Sequence, residues 1–191
     1  MGKHVEYRPE WVREDFIDFL AEKVNPLWAW KKAKARIVAK HHLSDDFVYM
    51  QLQPNHHFKA TDYQAGQSIL VTVLIGGVRW QRSYSIVEII ENGNLVIAVK
   101  QQGKVSNALT QQPVKSVVEI SQTQGEFVLK SQPHSALMIA SGSGITAIYA
   151  LIKAALKRPQ TVSNIDLIYF TRDDSFHAEL QQLTEHYPQF K

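Results

Sequence analysis

Apolar positions along the chain change their period twice. In "PEWVREDFIDFLAEKV", Val12, Phe16, Phe19 and Leu20 recur at helical spacing with acidic residues opposite, which predicts an amphipathic helix. "NPLWAWKK" ends it and carries Trp28 and Trp30, expected to pack against the next domain. From about residue 33 the period becomes two. "KARIVAK", "FVYMQLQ", "SILVTVLI", "VRWQRSYSI", "NLVIAVK" and "SVVEIS" are short runs rich in β-branched and aromatic residues. Turn residues separate them: "LSDD", "AGQ", the Gly-Gly pair between Ile75 and Val78, and Asn92-Gly93. Six such runs with one short helical stretch among them predict a small antiparallel barrel or sandwich.

After "SQPHS" the pattern changes again. "ALMIAS" reads as a short buried strand, and "GSGITAIYALIKAALKR" as a glycine turn entering an Ala/Leu-rich helix. "IDLIYF" is a second strand and "DSFHAELQQLTEHY" a second helix, with Asp174 or Ser175 as its expected N-cap. Strand–helix–strand–helix order predicts a parallel α/β layer. Two parallel strands cannot cover both of their faces, so this second domain is expected to be incomplete. The expected division is a helical extension over 1–32, a barrel over 33–131 and an α/β domain over 132–191.

Composition narrows the chemistry. The 191 residues include no cysteine, which removes disulfides, thiolate metal sites and cysteine catalysis. A net charge of +3 makes no demand for nucleic acid as partner. "MGKHVEYRPEWVRED" has no apolar core of signal-peptide type, and no apolar run approaches the length of a membrane span, so a cytoplasmic setting is expected. The pairs His41-His42 and His56-His57 point to opposite faces of a strand and lack a completing carboxylate pattern, so no metal site is expected. No Ser-His-Asp arrangement and no P-loop are present.

Four short stretches carry the remaining signals. In "RSYSI", Arg82 and Tyr84 share one strand face while Ser83 and Ser85 turn to the other, unless the strand bends or ends there. A cation beside a phenol suits a ligand with an anionic part and a flat ring. "ASGSGITA" sets Gly142, Ser143, Gly144 and Thr146 between a strand and a helix, where glycines permit a close backbone approach and free amides face an anion. A glycine turn with no ligand is the competing reading. In "QQGKVSNAL", Gly103 breaks a strand and Ser106 or Asn107 caps a short helix, with Lys104 and Val105 between them. That is either a plain cap or a second anion site. Gly125 in "QTQGEFVLK" interrupts the approach to an apolar run.

In order and spacing, "AGQ", "RSYS", "GKVS", "QGEF" and "GSGIT" resemble the ferredoxin–NADP reductase superfamily over about residues 33–187. The likeness is to bacterial reductases that feed electrons to oxygenases and desaturases. It implies a β + α/β fold: a six-stranded antiparallel flavin-binding barrel followed by a truncated Rossmann-like nucleotide-binding domain. It implies a flavin-dependent NAD(P)H oxidoreductase passing hydride to FAD and single electrons to an iron–sulfur ferredoxin-type domain or protein. FAD is favoured over FMN by family frequency alone. By the same resemblance Arg82 binds the flavin pyrophosphate, Tyr84 lies along the isoalloxazine and ribityl chain, and Ser85 meets the redox-active edge near N5, with Ser83 between them. Gly103, Lys104, Val105 and Ser106 begin the helix facing the pyrophosphate. Gly142, Ser143, Gly144 and Thr146 receive the nicotinamide dinucleotide, and Thr171 and Arg172 meet its adenosine ribose. Arg172 suits a 2′-phosphate and so tilts the expectation toward NADPH over NADH. The chain departs from the family pattern at three points. Ala147 stands where proline is usual, "QTQG" replaces G-P-x-G, and the C-terminal cysteine-glycine motif and aromatic region are absent. The alternatives are a truncated or non-catalytic flavin- or nucleotide-binding module within a larger electron-transfer complex, which these departures leave open, and an NAD(P)H:flavin reductase that passes electrons to a free flavin or small molecule.

Overall fold

A computed structural model describes residues 20, 23–28, 32–129, 135–157 and 163–191. Most of the expected N-terminal helix, and Trp30, lie outside the described residues; Trp28 is exposed.

The six period-two runs form β1 (Lys34–His42), β2 (Phe47–Pro54), β3 (Ser68–Ile75), β4 (Val78–Ile89), β5 (Leu95–Lys100) and β6 (Val117–Ile120). They close into an antiparallel barrel in the order β1-β2-β5-β4-β3-β6. Between β3 and β4 the Gly-Gly pair takes φ of +59° and +77°, the left-handed conformation that a tight hairpin needs and that glycine adopts without a Cβ clash. Alternate residues point inward, and Ile37, Met50, Leu52, Ile69, Ile86 and Ile97 are completely buried among them. Between β5 and β6, α1 (Lys104–Gln111) contributes Val105 and Leu109 to this core.

The second region holds β7 (Ser135–Ser141), α2 (Ile145–Leu156), β8 (Asn164–Phe170) and α3 (His177–His186). β7 and β8 pair in parallel from Ser135↔Asn164 to Ser141↔Phe170. The last residues return beside β8: Ile165 bridges Phe190 in parallel, and Leu167 N–H donates to the Lys191 carbonyl. α2 covers one sheet face and buries nine of its twelve residues.

This region shares a core with the outside of the barrel. Phe47, Val87 and Ala98 of the barrel pack with Met138, Ile148, Ile152 and Phe176. Phe176 is the joint: its ring meets those of Phe47, Tyr49 and Tyr149 edge-on, with centroids 5.7, 5.8 and 5.3 Å away. Lys153 of α2 also ion-pairs with Glu88 of β4.

Here one expectation is corrected. Neither Asp174 nor Ser175 caps α3; Phe176 stands at the N-cap, at φ +64°, and is completely buried. Burying an aromatic ring outweighs the preference for a polar cap.

Candidate functional site: a groove where two strands part

The groove arises from strand pairing. β4 pairs with β3 along Val78–Ser85 but with β5 only along Ile86–Ile89, across a register shift between Ile86 and Glu88. β5 continues to Lys100 alongside β2. The two strands therefore part beyond Ile86, and the β4 edge from Trp80 to Ser85 has no strand beside it. A strand edge with free peptide groups is a ready hydrogen-bonding surface. The strand does not end at Ser85 but runs on to Ile89, and the change of partner at Ser85 and Ile86 opens the space.

The resulting groove has a volume of about 440 Å³, within the range of small-molecule sites. Arg82, Ser83, Tyr84 and Ser85 form one wall. Ala98, Lys100 and Gln102 form the opposite side, and Gly103, Lys104, Val105 and Ser106 the start of α1. Ser143, Gly144 and Thr146 reach the groove from the α/β region. Eleven of the fourteen residues singled out from the sequence thus meet in one place. Gly142, Thr171 and Arg172 are not in its lining.

The groove favours an anion. Arg82 is exposed, and its Nη1 donates to the neighbouring Gln81 carbonyl at 2.9 Å. Lys104 Nζ lies 4.5 Å from the centre of the Trp80 ring. Neither cation has a carboxylate partner among the described residues. Lys100 does: its Nζ is 3.2 Å from Asp173 Oδ2, joining β5 to the loop after β8. Asp173 also accepts the Ser175 hydroxyl, and that hydrogen bond above all lowers its pKa to about 2.

Tyr84 carries the most specific signal. Its hydroxyl is buried and has no hydrogen-bond partner among the described residues. Burial pushes its pKa up to about 12, with Arg82 pulling weakly the other way, so it stays a protonated donor at any working pH. An unsatisfied buried hydroxyl costs about 1–3 kcal/mol, which a ligand offering an acceptor would remove.

Ser106 is not the cap expected of it. It lies inside α1, behind the N-cap Gly103; its Oγ accepts the Gly103 N–H and donates to the Gly103 carbonyl, both at 3.0 Å. The Val105 side chain points into the core, so its share in the groove is backbone. Ser83 Oγ bonds to Ser68 Oγ on β3 at 2.9 Å. Thr146 Oγ1 donates to the Ser143 carbonyl, and Gly142 holds φ +51° at the turn into α2. Thr171 and Arg172 are exposed past the end of β8, and the Thr171 hydroxyl is engaged with Asp173.

"AGQ" and "QGEF" support the groove from behind. Gly66, at φ +94°, lies so close to the Phe127 carbonyl that an added Cβ would sit 2.0 Å from its oxygen. Ser68 and Gln124 exchange backbone hydrogen bonds beside it, both at 2.9 Å. Sequence reasoning missed Trp80 and Lys100. Trp80 was visible as the residue two before Arg82 on the same strand face, but Lys100 depends on how β4 and β5 separate.

The residues fit a flavin dinucleotide: cations without carboxylates for the diphosphate, a tyrosine hydroxyl in search of an acceptor, and a bare strand edge for a polar ring. Fold and groove together define a ferredoxin–NADP reductase-like flavoprotein. The family described as oxidoreductase FAD-binding domain matches residues 34–129, and the chain belongs to it. A flavohemoprotein of Burkholderia sp. is 28% identical over 177 residues, covering 89% of this chain and 44% of that protein. An NADPH oxidoreductase of Mycobacterium tuberculosis is 30% identical over 179 residues, covering 87% and 46%. The chain thus spans about half the length of these curated relatives. A ferredoxin NADP+ reductase from Neisseria gonorrhoeae, solved with bound FAD and NADP, has the same fold at a TM-score of 0.68 and 20% identity, over 83% of this chain and 66% of that one. No helix among the described residues is long and apolar enough to cross a membrane.

Proposed function

We propose that the chain serves an NAD(P)H-dependent flavin oxidoreductase, with the groove as its FAD site. The observation that carries the reading is the buried Tyr84 hydroxyl beside Arg82, the hydroxyl without a hydrogen-bond partner and the guanidinium without a carboxylate partner among the described residues. FAD held there would supply the redox chemistry of hydride and single-electron transfer. The protein's part is to hold and orient. The Arg82 guanidinium clamps the diphosphate with a fork of donors. Gly103, Lys104, Val105 and Ser106 bring the positive start of α1 to the same phosphates. Tyr84 would donate its O–H to the ribityl chain, and the Ser83–Ser85 stretch of β4 would offer its open edge to the ring. Ser85 would turn a hydroxyl toward the N5 edge of the ring, where no general acid or base is required.

Ser143, Gly144 and Thr146 form the side of the groove that receives the nicotinamide and keeps water from the ring. Gly142 gives that turn its left-handed step, and Thr171 and Arg172 meet the adenosine ribose outside the groove. Arg172, exposed and cationic, supports NADPH over NADH. Asp173 beside it offers little opposition because Lys100 and Ser175 already engage it. An iron–sulfur domain or protein is the proposed acceptor; likeness to a flavohemoprotein favours haem as the second candidate. A nicotinamide reductant fits a cytoplasmic setting.

The test is spectroscopic. The chain is loaded with FAD, and NADPH or NADH is added without oxygen. Bleaching of the flavin band, faster with NADPH, is the expected result. A chain that takes up no FAD overturns the reading, and bound FAD that neither nucleotide bleaches removes the reductase half of it.

A further inference from the structure

We propose that Lys100 and Asp173 are a positioning pair: their bridge ties both loops on the nicotinamide side to the wall of the groove, and so sets how a bound nicotinamide meets the flavin. The second half of this inference rests on the flavin reading above; the tie itself stands on contacts that reading does not use. Lys100 closes β5 and lines the groove, yet its ammonium lies 3.2 Å from Asp173 Oδ2, across the boundary between barrel and α/β region. Asp173 holds the loop after β8 from several sides. Its Oδ1 accepts the Ser175 N–H at 2.9 Å and the Ser175 hydroxyl. Its own N–H donates to Thr171 Oγ1 at 3.2 Å, and its carbonyl accepts the Thr171 hydroxyl at 3.0 Å. Ser175 is buried, and its Oγ meets Ser44 Oγ, on the turn between β1 and β2, at 2.9 Å. A carboxylate with so many donors is fixed in direction as well as in place. Two residues before Thr171, Tyr169 donates its hydroxyl to the Gly142 carbonyl at 3.3 Å. The turn at Gly142, Ser143 and Gly144 and the loop from Thr171 to Asp173 are thereby linked, and Lys100 joins both to the groove wall.

Cohesion between the two regions comes from elsewhere. Phe176 packs on Phe47, Tyr49 and Tyr149, and burial of apolar surface holds without favouring a direction. The side chains of Lys100 and Asp173 are 18% and 23% exposed, and a pair that solvent reaches adds little cohesion. What it adds is direction. Lys100 Nζ lies 5.3 Å from the centre of the Phe47 ring, so the bridge stands beside the apolar joint and fixes the angle that the joint leaves free. Angle matters here because reacting atoms must lie about 3–3.5 Å apart, and a misplacement of about 1 Å costs on the order of 100-fold in rate.

Amide hydrogen exchange is followed in the flavin-free chain, and bleaching by NADPH in the FAD-loaded chain, for wild type, Asp173→Asn, Lys100→Met, Lys100→Arg and the double variant Asp173→Asn/Lys100→Met. Asparagine keeps an acceptor for Ser175 and loses the charge that holds Lys100; methionine keeps a stem against Phe47 and loses the ammonium. In either of these single variants the amides of 142–144 and 171–175 are expected to exchange about fivefold faster, with α2 and α3 unchanged. Bleaching at saturating NADPH is expected to fall about tenfold in Asp173→Asn, while FAD affinity stays within about twofold of wild type. The double variant should be no slower than either single one, and Lys100→Arg should keep most of the wild-type rate. Faster exchange spread evenly over α2, β8 and α3 would give the bridge a structural role alone and overturn the proposal. Unchanged exchange, unchanged bleaching, or losses that add in the double variant overturn it too. A wild-type chain that binds no FAD, or whose flavin NADPH does not bleach, sinks the flavin reading instead, and exchange in the flavin-free chain still decides the tie.

Discussion

The barrel and the α/β region solve the burial of a sheet in opposite ways. Every barrel strand pairs on both sides along at least part of its length, and its inward residues are sealed by one another and by α1. The β7–β8 sheet has α2 on one face only. On the other, Leu137 and Ile139 of β7 and Ile168 and Phe170 of β8 remain 62%, 59%, 44% and 62% exposed. The barrel therefore carries its own core, whereas the α/β region borrows one from the barrel's outer wall through Phe47, Val87 and Ala98. The groove lies on the boundary. Its proposed phosphate-binding wall belongs to the self-sufficient part, and its proposed nicotinamide side belongs to the dependent part.

The largest expected effect comes from breaking the joint. Phe176→Ala removes a completely buried ring that touches three other aromatics. A loss of about 3–5 kcal/mol is expected from such a truncation. It should fall on the α/β region, so that limited proteolysis cuts residues 135–191 while the barrel resists. Simultaneous loss of both regions would show that the barrel also depends on the joint.

Gly66→Ala probes the contact behind the groove. An alanine there must adopt φ +94° and place its Cβ against the Phe127 carbonyl, at a cost of about 3 kcal/mol or more. Here both regions should lose stability together in a thermal melt, because Leu151 of α2 lies 3.0 Å from the same Cβ position. A melt unchanged from wild type would contradict the close packing.

The smallest expected effect is the pH response of the Lys100–Asp173 bridge. The Asp173 pKa is depressed in the folded chain from 3.8 to about 2. Its stabilisation is therefore present above about pH 4 and is lost as the pH falls toward 2. Asp173→Asn should cost about 1 kcal/mol at neutral pH and flatten the stability profile between pH 4 and 2. A profile as steep as wild type would show that other carboxylates carry the acid response.

Much of this was legible in the sequence, for local reasons. Alternating runs separated by Gly-Gly and Asn-Gly turns read as strands because side-chain period and turn conformation are properties of neighbouring residues. "RSYS" and "GSGIT" were readable because their chemistry is compressed into a few positions. What escaped depends on contacts distant along the chain. Lys100 enters the groove only because β4 exchanges β3 for β5 at Ser85 and Ile86. Phe176 displaces a polar cap because three rings from elsewhere surround it. Ser106 sits inside α1 because the helix starts at Lys104, earlier than its hydroxyl suggested. The local reading of Gly66 was a turn, and its tight contact with Phe127 spans 61 residues.

Tyr84→Phe tests the central claim most directly, through two readings of opposite sign on one variant. Removing a buried hydroxyl that has no partner should leave the melting temperature of the flavin-free chain unchanged or raise it, while FAD affinity falls about tenfold. A destabilised flavin-free chain that binds FAD as tightly as wild type would mean that the hydroxyl serves the fold and that the groove is not built around the cofactor.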